Sequence, residues 1–225
     1  MRLLAGTVTA LLAVAGSSSQ TLERGAVTGK VTLTTAIRGV PLASNVYQPR
    51  AVGRHEPGRT PEILNVIVFL KDASFKGTLP ASHQVVEQVN ETFLPRVLAV
   101  TRGSVVAFPN GDPYFHNVFS LSRAGTFDLG RYRQGQTREE QFTKAGLIKV
   151  YCHIHSHMSA SIMVLDHPYF TVPRPDGTFT LPDVPSGKYT VVGWHERVGE
   201  RASRVVVEAG RTAAIDLSLP VEDGQ

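Results

Sequence analysis

Short stretches of alternating apolar and polar residues, interrupted every few positions by Gly, Pro, Asn or Asp, run along nearly the whole chain and restrict it to a mostly β architecture. Strands are expected at Ala26–Thr34, Ile63–Leu70, Arg96–Thr101, Ser104–Pro109, Asn117–Leu121, Leu147–Cys152 and Ala160–Leu165. Four more follow at Gly177–Leu181, Tyr189–Trp194, Arg204–Glu208 and Thr212–Leu219. A helical pattern fits only residues 84–93, and loosely; Val89-Asn90-Glu91-Thr92 reads equally well as strand, so that segment stays open. Many short strands at this spacing suggest sandwiches.

The first residues, MRLLAGTVTALLAVAGSSSQ, carry Arg2, an apolar run from Leu3 to Ala15 and a small-residue exit at Ala13-Val14-Ala15. This is the pattern of a secretory signal peptide spanning residues 1–20, because the run is shorter than the roughly 20 residues that a membrane-spanning helix needs. A retained anchor is the alternative. No later segment has the apolar length to cross a bilayer, so the expected location is periplasmic or secreted. The remainder, about 200 residues, suffices for one large or two small cores. A formal net charge of +4, scattered over the chain, offers no basic patch for nucleic acid. The single cysteine excludes an internal disulfide and leaves a free thiol, an intermolecular bridge or a metal ligand.

The surroundings of that cysteine favour the last. Tyr151 to Asp166 read YCHIHSHMSASIMVLD, with Cys152 three residues before His155 and six before Met158. Thiolate, imidazole and thioether on one tight loop are soft to intermediate donors suited to copper. The best fourth donor is His116, in FPNGDPYFHNVFS, which completes the Cys, two His and Met set of a blue-copper site holding one ion. Alternation through Ile148, Val150 and Cys152 places the thiol on the buried face of a strand, while Lys149 faces the other way. A second core strand, with Ala160, Ile162 and Val164 on one face, begins just after Met158, so the loop is clamped at both ends.

Each ligand also has a plain structural reading. A lone Cys is usually a small buried hydrophobe, His116 alone reads as a turn residue, and Met158 reads as core packing, as Met163 does. His55, His83 and His167 lie in loop-like sequence and are expected at the solvated surface. His195 ends a strand and is expected to make an interface or turn contact.

These stretches resemble the cupredoxins, and among them the plastocyanin- and amicyanin-like exported proteins described as methylamine-utilisation proteins. The likeness rests on Cys152-x-x-His155-x-x-Met158 and on Asn110 followed by His116-Asn117-Val118-Phe119-Ser120, within residues 84–166. It implies a Greek-key β-sandwich, with His116, Cys152 and His155 as equatorial copper ligands and Met158 as the axial one. Asn117 would tie the two ligand segments together. Two departures stand out: Ile154 and Ser156 replace the proline that often flanks the second histidine, and the loop carries two further imidazoles. His153 and His157 are expected to point away from the ion as exposed loop residues, with a weaker second site, or His157 in place of Met158, as the alternative.

Residues 167–221 carry a separate pattern. Turns at Asp176-Gly177, Pro185-Ser186-Gly187 and Ala209-Gly210 separate alternating strands. This part resembles the carboxypeptidase regulatory-like, transthyretin-type β-sandwich, in which the first strands come from a segment like residues 25–75. The resemblance implies an all-β chain of two sandwiches, the cupredoxin being inserted into the smaller one. The rival layout gives the N-terminal strands to an elaborated cupredoxin.

Three functions follow. Electron transfer would use the exposed edge of His155 and transient docking on a redox partner protein. Copper binding, storage or delivery without a redox role would use His153 and His157 to receive or hand over the ion. Catalysis, with Cys152 and His116 as nucleophile and base or with zinc, is disfavoured because no Asp or Asn is evidently placed to orient the imidazole.

Overall fold

The computed structural model describes residues 23–34 and 61–219; the expected signal peptide at residues 1–20, His55 and most of the segment between the first two strands lie outside the described residues. The chain opens with β1 (Arg24–Leu33) and, after a short 3-10 turn at Glu62–Asn65, β2 (Val66–Lys71). Ten strands follow: β3 (His83–Val85), β4 (Glu87–Val89), β5 (Thr92–Leu94), β6 (Val97–Thr101), β7 (Val105–Pro109), β8 (His116–Ser122), β9 (Gly125–Tyr132), β10 (Thr137–Gln141), β11 (Gly146–Tyr151) and β12 (Ser159–Leu165). The last six are β13 (Phe170–Thr171), β14 (Thr178–Pro185), β15 (Gly187–His195), β16 (Gly199–Val207), β17 (Thr212–Ala214) and β18 (Leu217–Leu219). Among the described residues there is no α-helix, and no helix long and apolar enough to cross a membrane.

The middle strands build a five-stranded sheet in the order β6-β12-β11-β8-β9, opposite a smaller sheet β10-β7-β3. Between them lies a core that includes Phe93, Phe108, Val118, Ile148, Val150 and Ile162. The strand that leads to the cysteine follows the period of two: Ile148 and Val150 are fully buried, whereas Leu147 and Tyr151 reach solvent. Its antiparallel register with β12 runs from Gly146↔Val164 to Tyr151↔Ser159, which leaves residues 152–158 as the connection between two paired core strands.

The outer strands make two further sheets, β14-β1-β17 with β18 also on β1, and β13-β2-β15-β16. The N-terminal strands β1 and β2 therefore pair with strands near the C-terminus, and β3–β12 intervene in sequence. Gly29 makes the close approach possible, because a Cβ there would stand 1.7 Å from the carbonyl oxygen of Ile215. A second core, with Val27, Val68, Leu181, Val191 and Leu217, fills this part.

The two parts meet at a small apolar contact of Ile67, Val97 and Met163, flanked by Trp194. Beside it the carboxylate of Glu196 is enclosed between Arg96 and Lys149 and accepts a hydrogen bond from Ser161 Oγ at 2.9 Å. Lys149 and Ser161 belong to β11 and β12, so the ion cluster fastens the strands that bear the ligand loop to the outer sheets.

Several expectations change. Residues 84–93, left open between helix and strand, are strand, forming most of β3, β4 and β5 with a two-residue turn at Asn90-Glu91. Strands β9 and β10, between Leu121 and Leu147, are not among those expected: β10 is polar and exposed at a sheet edge, whereas β9 does alternate, its Phe127 and Leu129 packing on the inner core between exposed Thr126, Asp128 and Gly130. Ile63 lies in the 3-10 turn rather than a strand, and β16 begins at Gly199, before Arg204. Thr212–Leu219 splits in two because Asp216 Oδ1 accepts the Lys30 N–H at 2.8 Å, replacing a ladder bond. His167, expected at the surface, is buried: its Nδ1 accepts the Tyr169 N–H and its ring stacks on that of Tyr169. His83 is exposed, as expected, and faces Glu139.

Candidate metal centre

Three donors from two chain segments converge at one end of the inner core. His116, the first residue of β8, is fully buried; its Nδ1 lies 3.9 Å from Cys152 Sγ and 3.0 Å from His155 Nδ1. All three donor atoms fall within 4.8 Å of one another, a spacing that one cation can bridge. Both imidazoles present the same nitrogen to a common point beside a sulfur, and two facing ring nitrogens are satisfied only by a shared proton or by a cation between them. Cys152 is 3% exposed and Met158 1%, and both belong to the same inner core. Met158 is brought back over the loop by its backbone N–H, which donates to the His155 carbonyl at 2.9 Å.

The local sequence sets this geometry. Pairing of Tyr151 with Phe119 places β8 against β11, so His116 arrives beside the cysteine. Asn117 Oδ1 accepts the His153 N–H at 2.7 Å, joining the two ligand segments. Asn110 donates to the carbonyls of Tyr114 and Tyr132 and accepts the Asp112 N–H, which shapes the approach to His116. Asp112 then accepts at 2.9 Å from the far nitrogen of His116, fixing the ring with Nδ1 toward the sulfur.

Electrostatics favour the deprotonated thiol. Burial pushes the Cys152 pKa up, but hydrogen bonding from His116 and from the N–H groups of Asn117, His155 and Ile154 outweighs it, and the net shift is downward. Burial works against a proton on His116, yet Cys152 and Asp112 together hold its pKa above the ordinary imidazole value. His155 is shifted down, because burial, together with the charges of His116 and His157, outweighs the Glu91 carboxylate.

The other loop histidines lie outside the cluster. His153 is exposed and stacks flat on Phe119, with ring centroids 3.6 Å apart, which turns its ring away from the sulfur. His157 is exposed, with Nε2 3.3 Å from Glu91. The edge of His155 is more covered than expected: its side chain is 15% exposed, Tyr114 packs edge-on against the ring, and Glu91 lies 3.7 Å from Nε2. Two carboxylates were therefore missed by sequence reasoning. Asp112 stands four residues before His116 in an irregular segment where no period predicts its direction, and Glu91 reaches the site only through the β4–β5 turn.

The donor set of His116, Cys152 and His155 fits copper: a sulfur predisposed to the thiolate beside two imidazoles, with Met158 buried in the same core. Zinc sites more often carry several cysteines or keep a position open to water. No protein-family model and no curated protein matches the chain. Among solved structures, it is similar to a reduced amicyanin variant, with 23% identity over 36% of this chain and 80% of that one, at a TM-score of 0.34. A copper(I) amicyanin variant shows 20% identity over 44% of this chain and 98% of that one, at 0.35. The copper-containing nitrite reductase of Thermus scotoductus SA-01 shows 27% identity over 42% of this chain, at 0.34; the matched part spans only 24% of that enzyme.

Proposed function

We propose that the protein is an exported mononuclear blue-copper carrier of single electrons, with His116, Cys152, His155 and Met158 holding the ion. The observation that carries this reading is the convergence of His116 Nδ1, Cys152 Sγ and His155 Nδ1 within 4.8 Å in a water-poor core. Copper would supply a one-electron couple there. The chain supplies rigidity: Asp112 fixes one imidazole, Asn117 ties the segments, and two paired strands clamp the loop, so a change of oxidation state requires little rearrangement. The partner would be a redox protein docking transiently beside His155, where Tyr114, Phe115 and Ile154 are exposed.

A non-catalytic role fits the same geometry. Cys152 and His116 are arranged like a nucleophile and its base, but at 3% exposure the sulfur is closed to a substrate. One observation favours copper storage or delivery instead: His157 is exposed, with its ring centroid 6.1 Å from that of His155, a place for an ion to pause on its way in or out.

Titration of the leaderless protein with copper(II), followed by visible absorption, separates the two. Electron transfer predicts an intense thiolate-to-copper charge-transfer band that saturates at one equivalent. Weak tetragonal copper spectra with more than one equivalent bound would favour storage or delivery.

A further inference from the structure

Strands β4 and β5 are joined by the two-residue turn Asn90-Glu91, and both residues have φ of +53°. This is the left-handed geometry of a tight hairpin, whose preferred sequence is Asn-Gly. Asn90 suits its position; Glu91 does not, because its Cβ crowds the backbone there. The turn is held by Asp112, whose two carboxylate oxygens accept the N–H groups of Asn90 and Glu91 at 2.6 and 2.8 Å. The same Asp112 fixes His116, so the turn is built into the support of the metal site.

Strain of this kind persists where the side chain has a task. The Glu91 carboxylate lies 3.7 Å from His155 Nε2 and 3.3 Å from His157 Nε2. Nε2 is the nitrogen of His155 on the side away from His116, because Nδ1 is the atom that meets it. At 3.7 Å the carboxylate acts on a metal-bound imidazole through its charge rather than a hydrogen bond, and a negative charge there favours the higher charge on the ion. We infer that Glu91 tunes the metal centre through its charge: held on a strained turn beside His155, it biases the bound copper toward the oxidised state. This inference rests on the copper reading above.

The test uses the full leaderless chain as Glu91→Gln and Glu91→Gly. Both variants are expected to keep the charge-transfer band. Loss of the carboxylate is expected to reduce the preference for copper(II) over copper(I) about tenfold, read as a rise in reduction potential of about 59 mV. Copper-free Glu91→Gly is expected to be more stable than the parent, with an unfolding constant about threefold smaller, because glycine relieves the left-handed strain. A purely structural role for Glu91 predicts the opposite: lower stability and an unmoved potential. Unchanged potentials in both variants with the band present would overturn this inference while leaving the copper reading intact. Absence of the band from the parent protein would refute both.

Discussion

Replacing Glu196 by Gln tests how the outer sheets hold the ligand-bearing strands. The Glu196 side chain is 5% exposed, enclosed by Arg96 and Lys149, which are 39% and 35% exposed, and it accepts from Ser161. Hydrogen bonds to a charged group contribute about 1.5–3 kcal/mol each, and removing one partner of a buried pair costs about 3–5 kcal/mol. Here both cations reach water and the amide can still accept from Ser161, so the loss is discounted to about 2 kcal/mol at pH 7. For a chain of this length that lowers Tm by about 4–8 °C. Thermal and urea unfolding measure it, and a double-mutant cycle with Lys149→Met should give a coupling of about 1 kcal/mol. The pH dependence has a fixed sign. Burial would raise the Glu196 pKa, but Ser161, Arg96 and Lys149 hold it below the ordinary value. The stabilisation is therefore complete above the unfolded carboxylate range and is lost as pH falls through the folded value, so the gap between parent and variant should close in acid. A change under about 0.5 kcal/mol at pH 7 would refute the reasoning.

Met158→Leu should leave copper bound but raise its reduction potential, measured by redox titration; an unchanged potential would reduce Met158 to core packing. His167 has its pKa lowered by burial, so its contribution is complete above the unfolded value of about 6.5 and declines as pH falls through it. The urea midpoint of the copper-free parent should therefore drop more between pH 7.5 and 5.5 than that of His167→Gln, and equal drops would contradict this. A fragment of residues 167–225 should fail to fold by circular dichroism, because β1 is the partner of β14, β17 and β18, and β2 lies between β13 and β15. A cooperatively folded fragment would contradict that dependence.

What the sequence made legible was whatever burial writes into alternation. Ile148, Val150 and Cys152 share a buried face because β11 lies in the middle of its sheet, and β12 was readable from Ala160, Ile162 and Val164 although it is buried on both faces. The edge strand β10 was hidden because exposed positions carry no such signal, whereas β9 carries a short alternation through Phe127 and Leu129 interrupted by Gly125 and Gly130. In the site, the three close donors were readable from residue type and spacing, since Cys152 and His155 share one loop and His116 stands beside an apolar strand. Asp112 and Glu91 were not, because their roles come from turn geometry: one carboxylate spans two N–H groups and an imidazole, the other projects from a left-handed turn. His167 was misplaced for a similar reason; its partner is the Tyr169 N–H two residues on, a local bond that allows a polar ring to be buried.

If the proposed function holds, side chains from two separate strand ends surround one copper ion. Anomalous diffraction at the copper edge, from crystals of the protein lacking residues 1–20 grown with one equivalent of copper(II), tests this. One strong peak is expected within bonding reach of His116 Nδ1, Cys152 Sγ and His155 Nδ1, and it should be lost in Cys152→Ser. A peak beside His157 and Glu91 with none near the sulfur would contradict it.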